Sequence, residues 1–188
     1  MSALPEIRIV NPAWVADVVD VNGTYSDDES RMRVAVRLAH GNVVHDTGGP
    51  FGAAVFDADG RIAGLGVNMV VPSNNSSLHA EMVAFMMAQA RVGSYTLGAP
   101  GMSEHVLYTS CEPCAMCLGA TFWSGVKRVF FAATRQDASE LFDEGPVFRA
   151  SYAYLEERGI RFRGGLLREE GRAALELYRD RHGERYNG

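Results

Sequence analysis

TSCEPCAMC, residues 109–117, holds every cysteine of the 188-residue chain, Cys111, Cys114 and Cys117, at intervals of three. Thiols so spaced suit three purposes: gripping a metal ion, seeding an iron–sulfur cluster, or filling a core. The run from Val106 to Ser110 reads as a strand, and Cys114 to Ser124 as a helix closed by Gly125. Pro113 fits the start of that helix, where no amide donor is needed. Cys114 and Cys117 then share one face of the first turn, near the positive end of the helix dipole, which favours the thiolate form that binds metal. Alone, a C-x-x-C supplies two ligands, and a redox dithiol or plain packing explains it equally well. An iron–sulfur cluster needs a fourth cysteine, which the chain lacks. Cys111, ahead of Pro113 at the strand end, reads as a small buried packing residue beside the ligands.

The missing ligand lies upstream. HAE, His79–Glu81, follows the polar loop PSNNSS and opens a helix read from Leu78 to about Arg91, with Ser77 as its N-cap. Residues 82–88, MVAFMMA, cover almost the whole circumference of that helix, so it is buried on more than one side. An imidazole from His79 and thiolates from Cys114 and Cys117 make three protein ligands. A tetrahedral ion so held keeps a fourth position for water, the arrangement of a catalytic zinc site and not of a structural one. Glu81 is badly placed to join the ligands but well placed to reach that water. H-x-E paired with P-C-x-x-C is the signature of zinc-dependent base deaminases. His40, His45, His105 and His182 lack any such context and read as surface or capping histidines.

Elsewhere the chain reads as one domain. Its hydrophobic content of 47% is enough for a sizeable core, and a net charge of −5 argues against a nucleic-acid partner. No segment approaches the roughly 20 apolar residues of a membrane span, and the opening residues do not form an export signal. Three crowded thiols cannot frame a disulfide scaffold, so a reducing cytoplasm is the expected compartment. Residues 1–25 read as a peripheral arm lying over the body or over a partner subunit, and 26–188 as a single domain. Ser26 with Glu29 matches a capping box for a helix running to about His40 or His45. The runs 51–56 and 62–67 read as a hairpin turning at Gly60, 129–133 as a further strand and 160–162 as a fifth. Helices near 148–158 and 169–181 complete a layered α/β order.

Several longer stretches strengthen the reading: GGPFGAAVF (48–56), GVNMVVPSNNSSLHAE (66–81), LYTSCEPCAMCLGA (107–120) and FDEGP (142–146). Together they resemble the cytidine deaminase-like superfamily, and within it the bacterial branch of guanine and ammeline aminohydrolases. The likeness is strong from about Gly48 to Pro146, weaker over 155–167, and absent from the N-terminal arm.

That resemblance implies a three-layer α/β/α sandwich with a five-stranded mixed sheet, one zinc ion at the N-termini of two helices, and a homodimer. It also implies that residues 169–188 act as a lid or an exchanged C-terminal segment, with Tyr186 a candidate to cap the pocket. The reaction implied is hydrolysis of guanine to xanthine and ammonia, with His79, Cys114 and Cys117 holding zinc and Glu81 moving protons. Glu144 in FDEGP is implied as a second proton carrier near the amino group, Asp143 being its less favoured neighbour. Asn68 fits the position where an amide reads the purine edge, offering both donor and acceptor. Phe51 and Trp123, next to matched motifs, are candidates to wall a flat ring. Backbone amides near Ala54, Ala80 and Cys114 are candidates to bind substrate or the attacking oxygen.

The rival enzymes are deaminases of ammeline, cytosine or guanosine and the tRNA adenosine deaminases, which share the motif. A non-catalytic relative that keeps zinc only for stability is the reading from outside enzymology, and the presence of Glu81 argues against it.

Overall fold

The protein, seen as a computed structural model, is described at residues 4, 6–139, 141–142, 147 and 149–186. Five strands, β1 (Gly52–Phe56), β2 (Ile62–Val67), β3 (Val106–Cys111), β4 (Arg128–Ala133) and β5 (Arg161–Arg163), form one sheet in the order β2-β1-β3-β4-β5. β1 runs antiparallel to both β2 and β3, whereas β3, β4 and β5 are parallel, so the sheet is mixed. Seven helices are described: α1 (Val15–Val18), α2 (Asp28–Val44), α3 (Ala80–Val92), α4 (Ala115–Ser124), α5 (Arg135–Ala138), α6 (Arg149–Glu157) and α7 (Arg168–Asp180).

Alternation along the strands divides the core in two. Ala54, Phe56, Val106, Tyr108, Phe130 and Ala132 face the cluster that contains Val34, Ala35 and Leu38 of α2. Ala53, Val55, Leu107 and Val129 face Ala80, Ala84 and Ala88 of α3, Leu118 of α4 and Leu155 of α6. α7 packs beside α2 and over β4. The result is the α/β/α sandwich with a five-stranded mixed sheet, a layering that buries strands on both faces and explains their near-continuous apolar sequences.

Two glycines set how closely α3 lies on the sheet. A Cβ at Gly64 would fall on the carbonyl oxygen of Ala84, and one at Gly66 on that of Ala80. The helix backbone therefore rests directly on β2, and the N-terminus of α3 is held at the end of the sheet where β3 also finishes.

Element boundaries depart from the sequence reading where a cap is decided by tertiary contacts. α2 is capped by Asp27 and not Ser26: its side chain accepts from the amide of Ser30 at 2.8 Å, and Ser30 Oγ reaches back to the Asp27 amide at 3.4 Å. Glu29 is the second residue of the helix and takes no part in the box. α3 begins at Ala80 with His79 as N-cap, two residues after the expected Ser77, whose hydroxyl is turned to Asn75 Oδ1 at 2.7 Å.

Part of the arm expected over 1–25 lies on the body of the domain. Trp14, Val15 and Val19 are buried in the α2 layer. The Trp14 ring stacks on His45 with centroids 5.0 Å apart, passes over Gly41, and donates through Nε1 to Thr47 Oγ1 at 2.9 Å. His105, expected at the surface, is buried, with Nδ1 3.1 Å from the carbonyl oxygen of Leu97.

β2 is an outer strand. Side chains cover its open side: Asn11 Nδ2 donates to Leu65 O and Arg91 Nη1 to Ile62 O, both at 2.9 Å.

Candidate metal centre and active-site cleft

His79 and Cys114 occupy the N-cap positions of α3 and α4, and neither uses its side chain to cap its helix. A serine or aspartate is the usual choice there, because its oxygen satisfies the helix's own amides. Here the side chains turn towards each other across the gap between the two helix starts. His79 Nδ1 lies 3.6 Å from Cys114 Sγ and 3.7 Å from Cys117 Sγ, and the three donor atoms all fall within 4.8 Å of one another. Tetrahedral zinc with its usual bond lengths separates a nitrogen and a sulfur ligand by about 3.6 Å. The spacing of the imidazole from both sulfurs suits that ion, and two sulfurs with one imidazole are the donor set that zinc favours.

Electrostatics favour the same use. The Cys114 thiol is lowered to about 4, chiefly because the Cys117 thiol donates to its sulfur, with His79 adding to the effect. Cys117 moves the other way: it gives up that hydrogen bond, is buried, and faces Glu81. A cation that binds here displaces thiol protons, and the lowered Cys114 value eases that loss.

Glu81, the second residue of α3, is buried beside the ligands and is not one of them. Burial raises its pKa, the Cys114 charge adds to this, and His79 opposes it. Its two oxygens have different partners: Thr109 Oγ1 donates to Oε1 at 3.1 Å, and Cys117 Sγ donates to Oε2 at 3.4 Å. Thr109, missed by motif reading, comes from β3 and is 1% exposed.

A small cleft opens over this centre, lined by Phe51, Asn68, His79, Ala80, Glu81, Cys111, Glu112, Cys114 and Tyr186. Asn68 follows the last residue of β2 and is 1% exposed, with Oδ1 accepting from the Val70 amide at 3.3 Å. Its backbone is held by Asn42, a buried residue of α2 whose Nδ2 donates to the carbonyls of Gly49 and Asn68, each at 2.8 Å. Asn42 was also invisible to motif reading, being one polar residue within the buried stripe of a helix. Phe51 meets Phe142 with ring centroids 5.0 Å apart, and Tyr186 meets the same Phe142 edge-on at 5.1 Å.

Two expected contributors lie elsewhere. Trp123 is 77% exposed and is not in the cleft lining, because on α4 the inward positions are Cys117, Leu118, Thr121 and Ser124. Ala54 sits in the middle of β1, paired to Leu65 on one side and Tyr108 on the other, away from the cleft lining. Ala80 and Cys114, by contrast, stand at helix starts, where backbone amides are unclaimed by the helix itself. Glu144 and its neighbour Asp143 lie outside the described residues. Cys111 is buried among Ala133, Ala138 and Leu175 and also borders the cleft.

Comparison with known proteins agrees with this arrangement. Residues 25–133 match the family described as the cytidine and deoxycytidylate deaminase zinc-binding region. The guanine deaminase of Bacillus subtilis (strain 168) is 42% identical over 135 residues, covering 71% of this chain and 83% of that protein. The solved guanine deaminase of Nitrosomonas europaea superposes with a TM-score of 0.88 at 36% identity, covering 96% of this chain and 100% of the other. A further solved chain, in complex with 2,6-diaminopurine, gives a TM-score of 0.88 at 39% identity, with 96% of each chain covered. With its zinc-ligand triad, its buried glutamate and these relatives, the chain belongs to the cytidine and deoxycytidylate deaminase zinc-binding family, alongside the guanine deaminases.

Proposed function

We propose that the protein hydrolyses guanine to xanthine and ammonia in the cleft above His79, Cys114 and Cys117. The observation that carries the reading is the buried, non-ligating carboxylate of Glu81 beside that triad, in a cleft that also presents Asn68 and Phe51. Zinc held by the triad supplies Lewis acidity, lowering the pKa of bound water from 15.7 to about 7. Glu81 accepts a proton from the attacking water and delivers it to a ring nitrogen, so that negative charge does not build up on the base. Thr109 keeps one oxygen of Glu81 anchored while the other stays on the ligand side. Asn68, whose backbone Asn42 holds, lines the cleft, and in this reading its amide reads the purine edge as both donor and acceptor. Phe51 provides an apolar wall. A second proton must reach the departing nitrogen so that it leaves as ammonia, and Glu144, by its place in FDEGP, is the proposed carrier.

Three further features belong to this reading. Met116 and Trp123 of α4 and Tyr154 of α6 are exposed at 36%, 77% and 47%, apolar surface on and next to the metal-bearing helix that suits a second copy in a homodimer. Tyr186 borders the chain's own cleft, which supports a lid role for residues 169–188; exchange between subunits would supply the same ring from the partner. No described helix is long and apolar enough to cross a membrane, and three buried cysteines with no disulfide among them suit a reducing cytoplasm.

The test is ammonia release from a panel of guanine, ammeline, cytosine, guanosine and tRNA adenosine, alongside metal analysis of the same preparation. Guanine is expected to be the preferred substrate, with one zinc per chain; silence on guanine overturns the assignment. Glu81→Gln is expected to keep zinc and fold while turnover drops by roughly 100- to 10,000-fold.

A further inference from the structure

Glu112 takes no part in holding zinc, yet its carboxylate ties together three pieces of the chain around the cleft. Its backbone extends the β3–β4 pairing, the amide donating to Ala133 O at 2.9 Å, so its position is fixed by the sheet. Two residues later comes Cys114. The side chain borders the cleft, and each carboxylate oxygen has a separate partner. Oε2 accepts from the backbone amide of Arg135, the first residue of α5, at 3.1 Å. Oε1 accepts from the hydroxyl of Tyr152, in the middle of α6, at 2.7 Å. Tyr152 is itself lodged against the sheet, its ring edge-on to Phe162 of β5 with centroids 4.9 Å apart.

α5 and α6 flank residues 139–148 of the sequence, the stretch that contains Asp143 and Glu144. One carboxylate, two residues from a zinc ligand, thus sets the place of both elements from which that stretch departs and to which it returns. Short hydrogen bonds to a charged acceptor are stronger and more directional than neutral ones, which suits a part that must hold position. A surface ion pair would not serve, because solvent screens it and its geometry wanders.

We propose that Glu112 is a positioning residue for the deaminase reaction, acting through Arg135 and Tyr152 to hold α5 and α6 in register with the metal-bearing loop. The inference rests on the guanine deaminase reading only for its activity measurement. Its structural half is independent of the substrate.

The experiment compares zinc-loaded full-length wild type with E112A, E112Q, Y152F and the E112A/Y152F pair. Amide hydrogen exchange over 135–138 and 149–157 is followed together with zinc content, kcat and KM. E112A is expected to speed exchange in both segments, keep stoichiometric zinc, and lower kcat roughly 10- to 100-fold, as misplacement of reacting groups does, with KM within about threefold. E112Q, which keeps an acceptor oxygen, should recover part of the loss. The double variant should be no worse than E112A, because both changes remove the same hydrogen bond.

Faster exchange with unchanged kcat and KM would make Glu112 a stabilising staple and overturn the proposal, as would loss of activity in step with loss of zinc. If E112A does not fold, Y152F decides: unaltered exchange and kcat overturn the proposal. If wild type is inactive on guanine but active on another base of the panel, that base replaces it. The guanine assignment then falls, while the exchange data still judge the clamp.

Discussion

A single hydroxyl on a strand determines how Glu81 is held. Thr109 donates to Oε1, and this leaves Oε2 on the side of Cys117. A hydrogen bond to a charged group contributes about 1.5–3 kcal/mol, a factor of roughly 10–100 if it is lost where it matters most. Thr109→Val, which keeps the shape and removes the donor, is expected to lower kcat by about that factor with zinc content unchanged, and Thr109→Ser to restore most of it; steady-state kinetics beside metal analysis reads both. At this scale the sequence was legible where chemistry is compressed into short spacings. His79, Glu81, Cys114 and Cys117 sit in two brief motifs, and each motif stands at a helix start. Thr109, Asn42 and Glu112 were not legible as parts of the site. A threonine in a strand, an asparagine in a helix and a glutamate just past a strand end take their roles from what the fold brings opposite them, and no spacing rule encodes that.

Helices and strands were readable from periodicity, their ends less so. Ser77 and Ser26 each looked like a cap, yet the caps are His79 and Asp27, because the helix starts are fixed by packing on the sheet and not by the local residue alone. Trp123 shows the same gap in a different form: adjacency to a motif says nothing about which side of α4 a ring will face. The contact of α3 with β2 is the element-scale feature on which the metal centre depends. Gly66→Ala would drive a methyl into the carbonyl of Ala80 and lift the very turn that carries His79 and Glu81. The expected cost is about 1–3 kcal/mol of stability, as for other overpacked contacts, together with weaker zinc affinity, measured by urea titration and competition with a chelator.

A second element-scale prediction concerns α5. Asp137 closes its capping box with Thr134 and accepts two 2.8 Å hydrogen bonds from Arg168 of α7, and chiefly these hold its carboxyl well below the usual carboxylate range. A lowered pKa in the folded state stabilises the fold above the unfolded value of about 3.9, and that contribution is lost as pH falls through the folded value. Asp137→Asn should therefore be less stable than wild type by about 1–2 kcal/mol at neutral pH, discounted for the half-exposed Arg168. The gap should close as denaturation is repeated below about pH 4.

For the whole molecule, the class of fold was legible because the order of apolar runs alone demands a covered sheet, and the two glycines with α2, α3 and α7 then fill in how it is covered. Where the arm meets the body was not legible, because Trp14 packs on α2 at Gly41, 27 residues further along the chain, a contact no local pattern announces. Assembly is the property to test at this scale. If the proposed homodimer uses the exposed face of α4, Trp123→Asp is expected to shift sedimentation from dimer to monomer while the isolated chain still binds zinc; an unchanged sedimentation coefficient would overturn that placement of the contact.

The plugged margin of β2 bears on the same question. Asn11 and Arg91 occupy the carbonyls of Leu65 and Ile62 that an incoming strand would need. A newly made copy meeting another therefore finds no free ladder to extend at those points, and runaway stacking into fibres is discouraged there from the outset. Any pairing of copies has to use a surface other than those two carbonyls.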